Sequence, residues 1–149
     1  MIRKDLVVID SDALDQDTVL NDLAQRAFEQ GLLSDKESFL AAVKKREAEI
    51  PTSVGFEVAI PHGRTDAVKE SFVGVMRTKK SFIWDARNNE PVKVIFLLGV
   101  PETEGDTTHL RFLSQISKKL MNAEFREQLN QCKNRDEAFD LLNEINQNL

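Results

Sequence analysis

Residues 92–100 read Val-Lys-Val-Ile-Phe-Leu-Leu-Gly-Val, apolar at nearly every position beyond Lys93. A strand with one face in water alternates apolar and polar residues. A run without alternation needs cover on both faces. This run is far too short to cross a bilayer, so it predicts the central strand of a sheet enclosed by helices. The rest of the chain must supply those layers, and its periodicity does. Asp15 or Asp17 precedes Val19, Leu20, Leu23, Ala24, Ala27 and Phe28, which share one helical face, with Gly31 as the stop. Ser34-Asp35-Lys36-Glu37 reads as a capping box opening a second helix with Phe39, Leu40 and Val43 inside, ended by Pro51. Residues 6–9, 58–60, 72–76 and 82–84 are strand-like, and Asn88-Asn89-Glu90-Pro91 is a turn between two strands.

Beyond Pro101 the period is helical again. Leu110, Leu113, Ile116 and Leu120 fall on one face. Asn122 caps a short helix carrying Phe125 and Leu129. Asn134, with Glu137 three residues on, opens a last helix carrying Ala138, Leu141, Leu142 and Ile145. The expected fold is an α/β single-domain sandwich with a central mixed β-sheet flanked by helices on both faces. A chain of 149 residues suits one domain over 1–149, and no repeat or linker divides it.

Several function classes fall away. Charges of both signs are interspersed at a net −5, so no basic face for nucleic acid stands out. One cysteine, Cys132, cannot form an internal disulfide, and its helical spacing from Leu129 makes it a small core residue. The first residues carry no secretory pattern and no membrane insertion is expected, which puts the domain in the cytoplasm. A Gly-rich phosphate loop with a following Lys, Gly-x-Ser-x-Gly and His-Glu-x-x-His are all absent. With only His62, His109 and Cys132 as soft ligands, neither a metal nor a cofactor is expected.

The two histidines carry what chemistry there is. His62 follows Val58-Ala59-Ile60-Pro61 and precedes Gly63, which places it at a strand end, where ligands of α/β sheets gather. A neutral imidazole is a nucleophile at physiological pH. His109 opens the helix after the central strand, with Asp106 or Thr107 as N-cap. Unpaired backbone N–H groups there suit a phosphate. If both strand ends lie on one sheet edge, the histidines share a site. A plainer reading stands beside this one: His62 as a surface loop residue, with Arg46 and Glu47 closing the second helix, where a cation suits the dipole.

Glu47, Val54-Gly55 and Val58-Ala59-Ile60-Pro61-His62-Gly63 together fill every constrained position of the signature of phosphotransferase-system enzyme IIA domains of the fructose/mannitol type. Residues 92–98 and Thr108-His109-Leu110 resemble that family's later strand and second-histidine segment, so the resemblance covers nearly the whole chain. It implies that His62 is phosphorylated by the carrier protein HPr and passes the phosphoryl group to a IIB component, with the membrane component IIC downstream. It implies that His109 assists phosphate binding and that Arg46 matches an arginine of the site. Some members, notably the mannitol type, carry Glu directly after the small residue of the signature. Phe56 stands there in this chain and Glu57 follows, so that acid is not carried over. The segments around Phe82-Ile83-Trp84-Asp85 and Glu90-Pro91-Val92-Lys93 are more similar to fructose-type members. A regulatory protein of the same family and a non-catalytic interaction domain are the other readings. A carrier that docks two partners in turn is expected to be mostly apolar around its histidine.

Overall fold

The computed structural model describes residues 1–104 and 107–149. Chain order is β1 (Ile2–Ser11), α1 (Gln16–Glu29), α2 (Lys36–Glu49), β2 (Ser53–Gly55), β3 (Val58–Ala59), β4 (His62–Thr65), β5 (Phe72–Ile83), β6 (Pro91–Pro101), α3 (Thr107–Leu120), α4 (Ala123–Gln131) and α5 (Arg135–Gln147). Among the described residues the strands form one six-stranded mixed sheet, ordered β1-β5-β6-β3-β2, with β4 also paired to β6. β6 is central as the apolar run predicted. Its Ile95 and Leu97 pack into the layer under α1 and α2, and its Val94, Phe96 and Leu98 into the layer under α3, α4 and α5. The α/β sandwich with helices on both faces is therefore the observed fold.

Local chemistry explains the elements and their departures from expectation. Asp15 caps α1, its side chain accepting from the Thr18 N–H at 2.7 Å. The cap of α2 is Asp35, not Ser34: Asp35 accepts from the Ser38 N–H and hydroxyl, while the Ser34 hydroxyl donates to the Ala67 carbonyl across the loop. Asn122 and Asn134 cap α4 and α5 as expected. The two strand-like stretches at 72–76 and 82–84 belong to one strand, β5. A register shift between Arg77 and Phe82 carries exposed Lys79, Lys80 and Ser81, and this break hid the continuity. Two expected core residues lie outside. Phe28, in the last turn of α1, is 44% exposed and Leu110 is 56% exposed. The true inner face of α3 is Phe112, Ile116 and Leu120.

Two glycines make room on the sheet, Gly63 for α2 and Gly99 for the Phe72 ring. Gly63 of β4 pairs with Gly99 of β6, which pairs with Phe72 of β5. A Cβ on Gly63 would stand 2.8 Å from Val43 Cγ2 and 3.2 Å from the Val43 backbone nitrogen. One on Gly99 would stand 2.3 Å from Cε1 of the fully buried Phe72 ring. Gly63 thus serves the close packing of α2 on the sheet. The Phe72 ring has nowhere to go, so Gly99→Ala is expected to cost about 1–3 kcal/mol of stability through overpacking. Urea denaturation would read this as a lower midpoint, and an unchanged midpoint would contradict the packing.

Candidate active site

β3 and β4 keep one register along β6: Val58 pairs with Val94, Ala59 with Ile95, His62 with Leu98. They are one parallel strand interrupted at Ile60-Pro61. Proline has no N–H to give the ladder. The Ile60 N–H turns the other way, donating to the Thr52 carbonyl at 3.0 Å, and the ladder resumes when the Leu98 N–H donates to the Pro61 carbonyl at 3.0 Å. His62 therefore opens β4 near the C-terminal end of β6. Side chains alternate across a strand. With Gly63 against α2, His62 and Arg64 face the side of α3.

His109 reaches the same place from α3. It lies seven residues before Ile116, and a heptad falls only about 20° short of two full helical turns. His109 thus points almost as the fully buried Ile116 does, toward the sheet. The His62 and His109 rings lie 6.0 Å apart between centroids and 21° from parallel. Both line a cavity of about 410 Å³ with Lys45, Arg46 and Arg64 as cations and Glu49 and Glu102 as carboxylates. The structure brings together all three predicted residues, His62, His109 and Arg46. The Arg46 guanidinium also donates to the Ile50 carbonyl at 3.0 Å, so it closes α2 and lines the cavity at once. Of the two candidate caps beside His109, Thr107 is already helical and Asp106 lies outside the described residues.

The imidazole of His62 is held in one form. Its Nδ1 lies 3.1 Å from the Ile60 carbonyl oxygen. A carbonyl only accepts, so Nδ1 carries the proton and Nε2 holds the free lone pair. Burial pushes the His62 pKa below its ordinary 6.5, and the nearby Arg46 guanidinium and the neighbouring His109 imidazole act in the same direction. The Ile60 carbonyl and the Glu47 carboxylate oppose them. His62 is then neutral at physiological pH. An NMR titration of its ring protons is expected to give a midpoint below 6.5. A folded-state value below the unfolded one contributes stability that is complete above pH 6.5 and is lost as pH falls through the folded value. A midpoint at or above 6.5 would contradict the buried, cation-flanked environment.

Two lining residues, Arg64 and Lys45, and the buried contact of Glu47 were not read from the sequence. Arg64 lies two residues beyond His62 on the same strand face, a period-2 signal past the end of the motif, and donates to the Glu102 carbonyl at 3.0 Å. Lys45 comes in on α2 beside Arg46. Glu47 is 3% exposed and accepts from both donors of Thr52, the N–H at 2.8 Å and the hydroxyl. The rim is also more charged than expected: the cavity's side chains beyond the histidines are mainly ionic rather than apolar. Glu57 is not among the lining residues. It sits in the β2–β3 turn, where the Ser81 hydroxyl donates to its carboxylate and its carbonyl accepts from Lys93 and Val94, toward the other end of β6.

The α/β sandwich thus presents two histidines, three cations and two carboxylates around one cavity at the sheet's edge. The family model of the phosphoenolpyruvate-dependent sugar phosphotransferase system, EIIA 2, matches residues 1–145. The chain belongs to that family and is a phosphotransferase component carrying phosphoryl groups between proteins. It is 31% identical to the fructose-specific EIIA component of Haloferax volcanii, over 95% of this chain and 91% of that one. The crystal structure of nitrogen regulatory protein IIA-Ntr from Neisseria meningitidis superposes with a TM-score of 0.85 at 26% identity, over 95% of each chain. The fold is shared by enzyme IIA-Mtl of Escherichia coli, solved in complex with phosphorylated IIB-Mtl. Here the TM-score is 0.79 at 16% identity, over 95% of this chain and 98% of the other. The chain spans only about a fifth of the longer EIIABC relatives it also matches. No helix among the described residues is long and apolar enough to cross a membrane.

Proposed function

We propose that residues 1–149 form one EIIA domain of a fructose-type transporter, working in the cytoplasm, whose His62 Nε2 is the phosphoryl acceptor. HPr, charged from phosphoenolpyruvate by enzyme I, is the donor. A IIB component is the acceptor, with IIC importing the sugar. The Nε2 lone pair attacks the phosphorus of the donor phosphohistidine. The donor P–N bond breaks and its electron pair returns to the donor ring. Nδ1 keeps its proton on the Ile60 carbonyl throughout, and transfer to IIB reverses the same step.

Phosphoryl transfer of this kind passes in line through a loose, highly charged transition state, so the site needs to position and neutralise more than to react. Arg46 and His109 are placed to take the equatorial oxygens. One observation carries the reading: a neutral His62 with a free Nε2, beside His109, over a cavity ringed by cations. The test is labelling of purified protein from phosphoenolpyruvate through enzyme I and HPr of a matching organism. The expected label is acid-labile and base-stable. No label, with HPr confirmed charged, overturns the reading in favour of an interaction domain.

A regulatory role using the same phosphohistidine is the second reading, favoured by the likeness to IIA-Ntr. Adding a fructose-type IIB separates the two. Loss of label from the protein to IIB supports transport, and label retained in the presence of a competent IIB supports regulation.

A further inference from the structure

A buried carboxylate is an unfavourable choice at position 47. Glu47 sits in the last turn of α2, where the helix end carries partial negative charge, and it is almost fully removed from water. The carbonyls of that helix end have their own partners. The Arg87 guanidinium donates to the Glu47 and Ala48 carbonyls, both at 2.6 Å, and Arg46 donates to Ile50. The side chain of Glu47 is therefore not needed to close the helix. What it does hold is Thr52, through both the backbone N–H and the hydroxyl.

Thr52 is the first member of a relay that ends on the nucleophile. Its carbonyl accepts from the Ile60 N–H at 3.0 Å. Ile60 precedes Pro61, and a residue before proline is confined to the extended region. Once its N–H is anchored, the direction of its carbonyl is set. That carbonyl is the one that takes the Nδ1 proton of His62 at 3.1 Å.

We infer that Glu47 is a positioning residue for His62: through Thr52 and Ile60 it fixes the carbonyl that holds the imidazole as its Nδ1–H tautomer and leaves Nε2 free to attack. The kinetic part of this inference rests on the reading of His62 as phosphoryl acceptor, whereas the tautomer part stands apart from it. A carboxylate suits the task because it accepts from two donors of one residue at once. Both Thr52 donors are then satisfied in a buried setting, and the start of the β2–β3 hairpin cannot turn about a single bond.

The test is the tautomer of His62, read from ring nitrogen shifts of the full-length, 15N-histidine-labelled chain at pH 7.5. The wild type is expected to show a protonated Nδ1 and a bare Nε2. Glu47→Gln, which retains one acceptor oxygen, and Thr52→Val, which lacks the hydroxyl, are expected to give mixed tautomers. Thr52→Ser, which keeps the hydroxyl, is expected to restore the wild-type pattern. Labelling by phosphorylated HPr is expected to slow by about 10–100-fold in the first two, the scale on which the outer partners of functional histidines act. A wild-type His62 protonated on Nε2 overturns the inference without any variant. So does a folded Glu47→Gln with the wild-type tautomer and labelling rate. If Glu47→Gln does not fold, Thr52→Val decides by the same spectra. Lower stability with an intact Nδ1–H tautomer means that Glu47 only braces the fold, and the inference fails. If the tautomers respond as expected but the wild type takes no label, positioning stands and phosphoryl acceptance fails.

Discussion

His62→Ala is expected to take no label from phosphorylated HPr, while keeping its fold. The loss is complete rather than partial because the side chain removed is the nucleophile, and no neighbour can replace it. His109 is the other imidazole in the cavity, but among the described residues its buried Nδ1 has no hydrogen-bond partner and no carbonyl that holds it in a defined form as Ile60 holds His62. Lys45, Arg46 and Arg64 are cations that attract a phosphoryl group without accepting it at neutral pH. The fold should survive because His62 is half-buried and contributes one side-chain hydrogen bond. Circular dichroism and a denaturation midpoint near that of the wild type would confirm this. Label appearing on a folded His62→Ala protein would move the nucleophile to His109 and overturn the assignment.

The fold was legible where one physical signal dominated. The unalternating run at 92–100 could only be a central strand, and it is β6. Caps at Asp15, Asn122 and Asn134 could be read because a short polar side chain before an apolar period has one main use. The failures came where tertiary contacts override local pattern. Leu110 fits a helical stripe, yet α3 turns Phe112 and Ile116 inward and leaves it in water. Arg77 looks like a strand residue with nothing to do. It is buried, and its guanidinium donates to the last carbonyls of α4, at Leu129 and Asn130, contacts more than fifty residues away in the chain.

The site divides the same way. His62, His109 and Arg46 could be named from the chain because a motif and a family resemblance carried them. Their meeting could not be: it depends on β4 and α3 flanking the same end of β6. The roles of Pro61 and Gly63 were also only half legible. The main effect of Pro61 is to confine Ile60, whose carbonyl orients the imidazole. Glu47 was visible as a position in the signature. That its carboxylate turns inward to Thr52 follows from packing that the sequence does not spell out.

His109→Ala is expected to slow phosphoryl transfer to His62 by roughly 10²–10³-fold, or about 2.7–4 kcal/mol, the range for removing one preorganised donor from a site of developing charge. The loose transition state spreads charge over three equatorial oxygens, and the cations of the cavity neutralise it from the side of α2 and β4. The imidazole of His109 joins them from α3, beside the His62 ring. The ring lines the cavity beside His62, so it meets the charge that develops on the transferring group. The effect should therefore fall on the rate of label transfer at saturating phosphorylated HPr more than on the concentration needed for half-saturation. A neutral Gln at 109, able to donate from its amide, should recover part of the loss. If His109→Ala transferred at the wild-type rate, the imidazole would be a packing feature only, and the work of stabilising the transferring group would fall to Arg46 and its neighbouring cations.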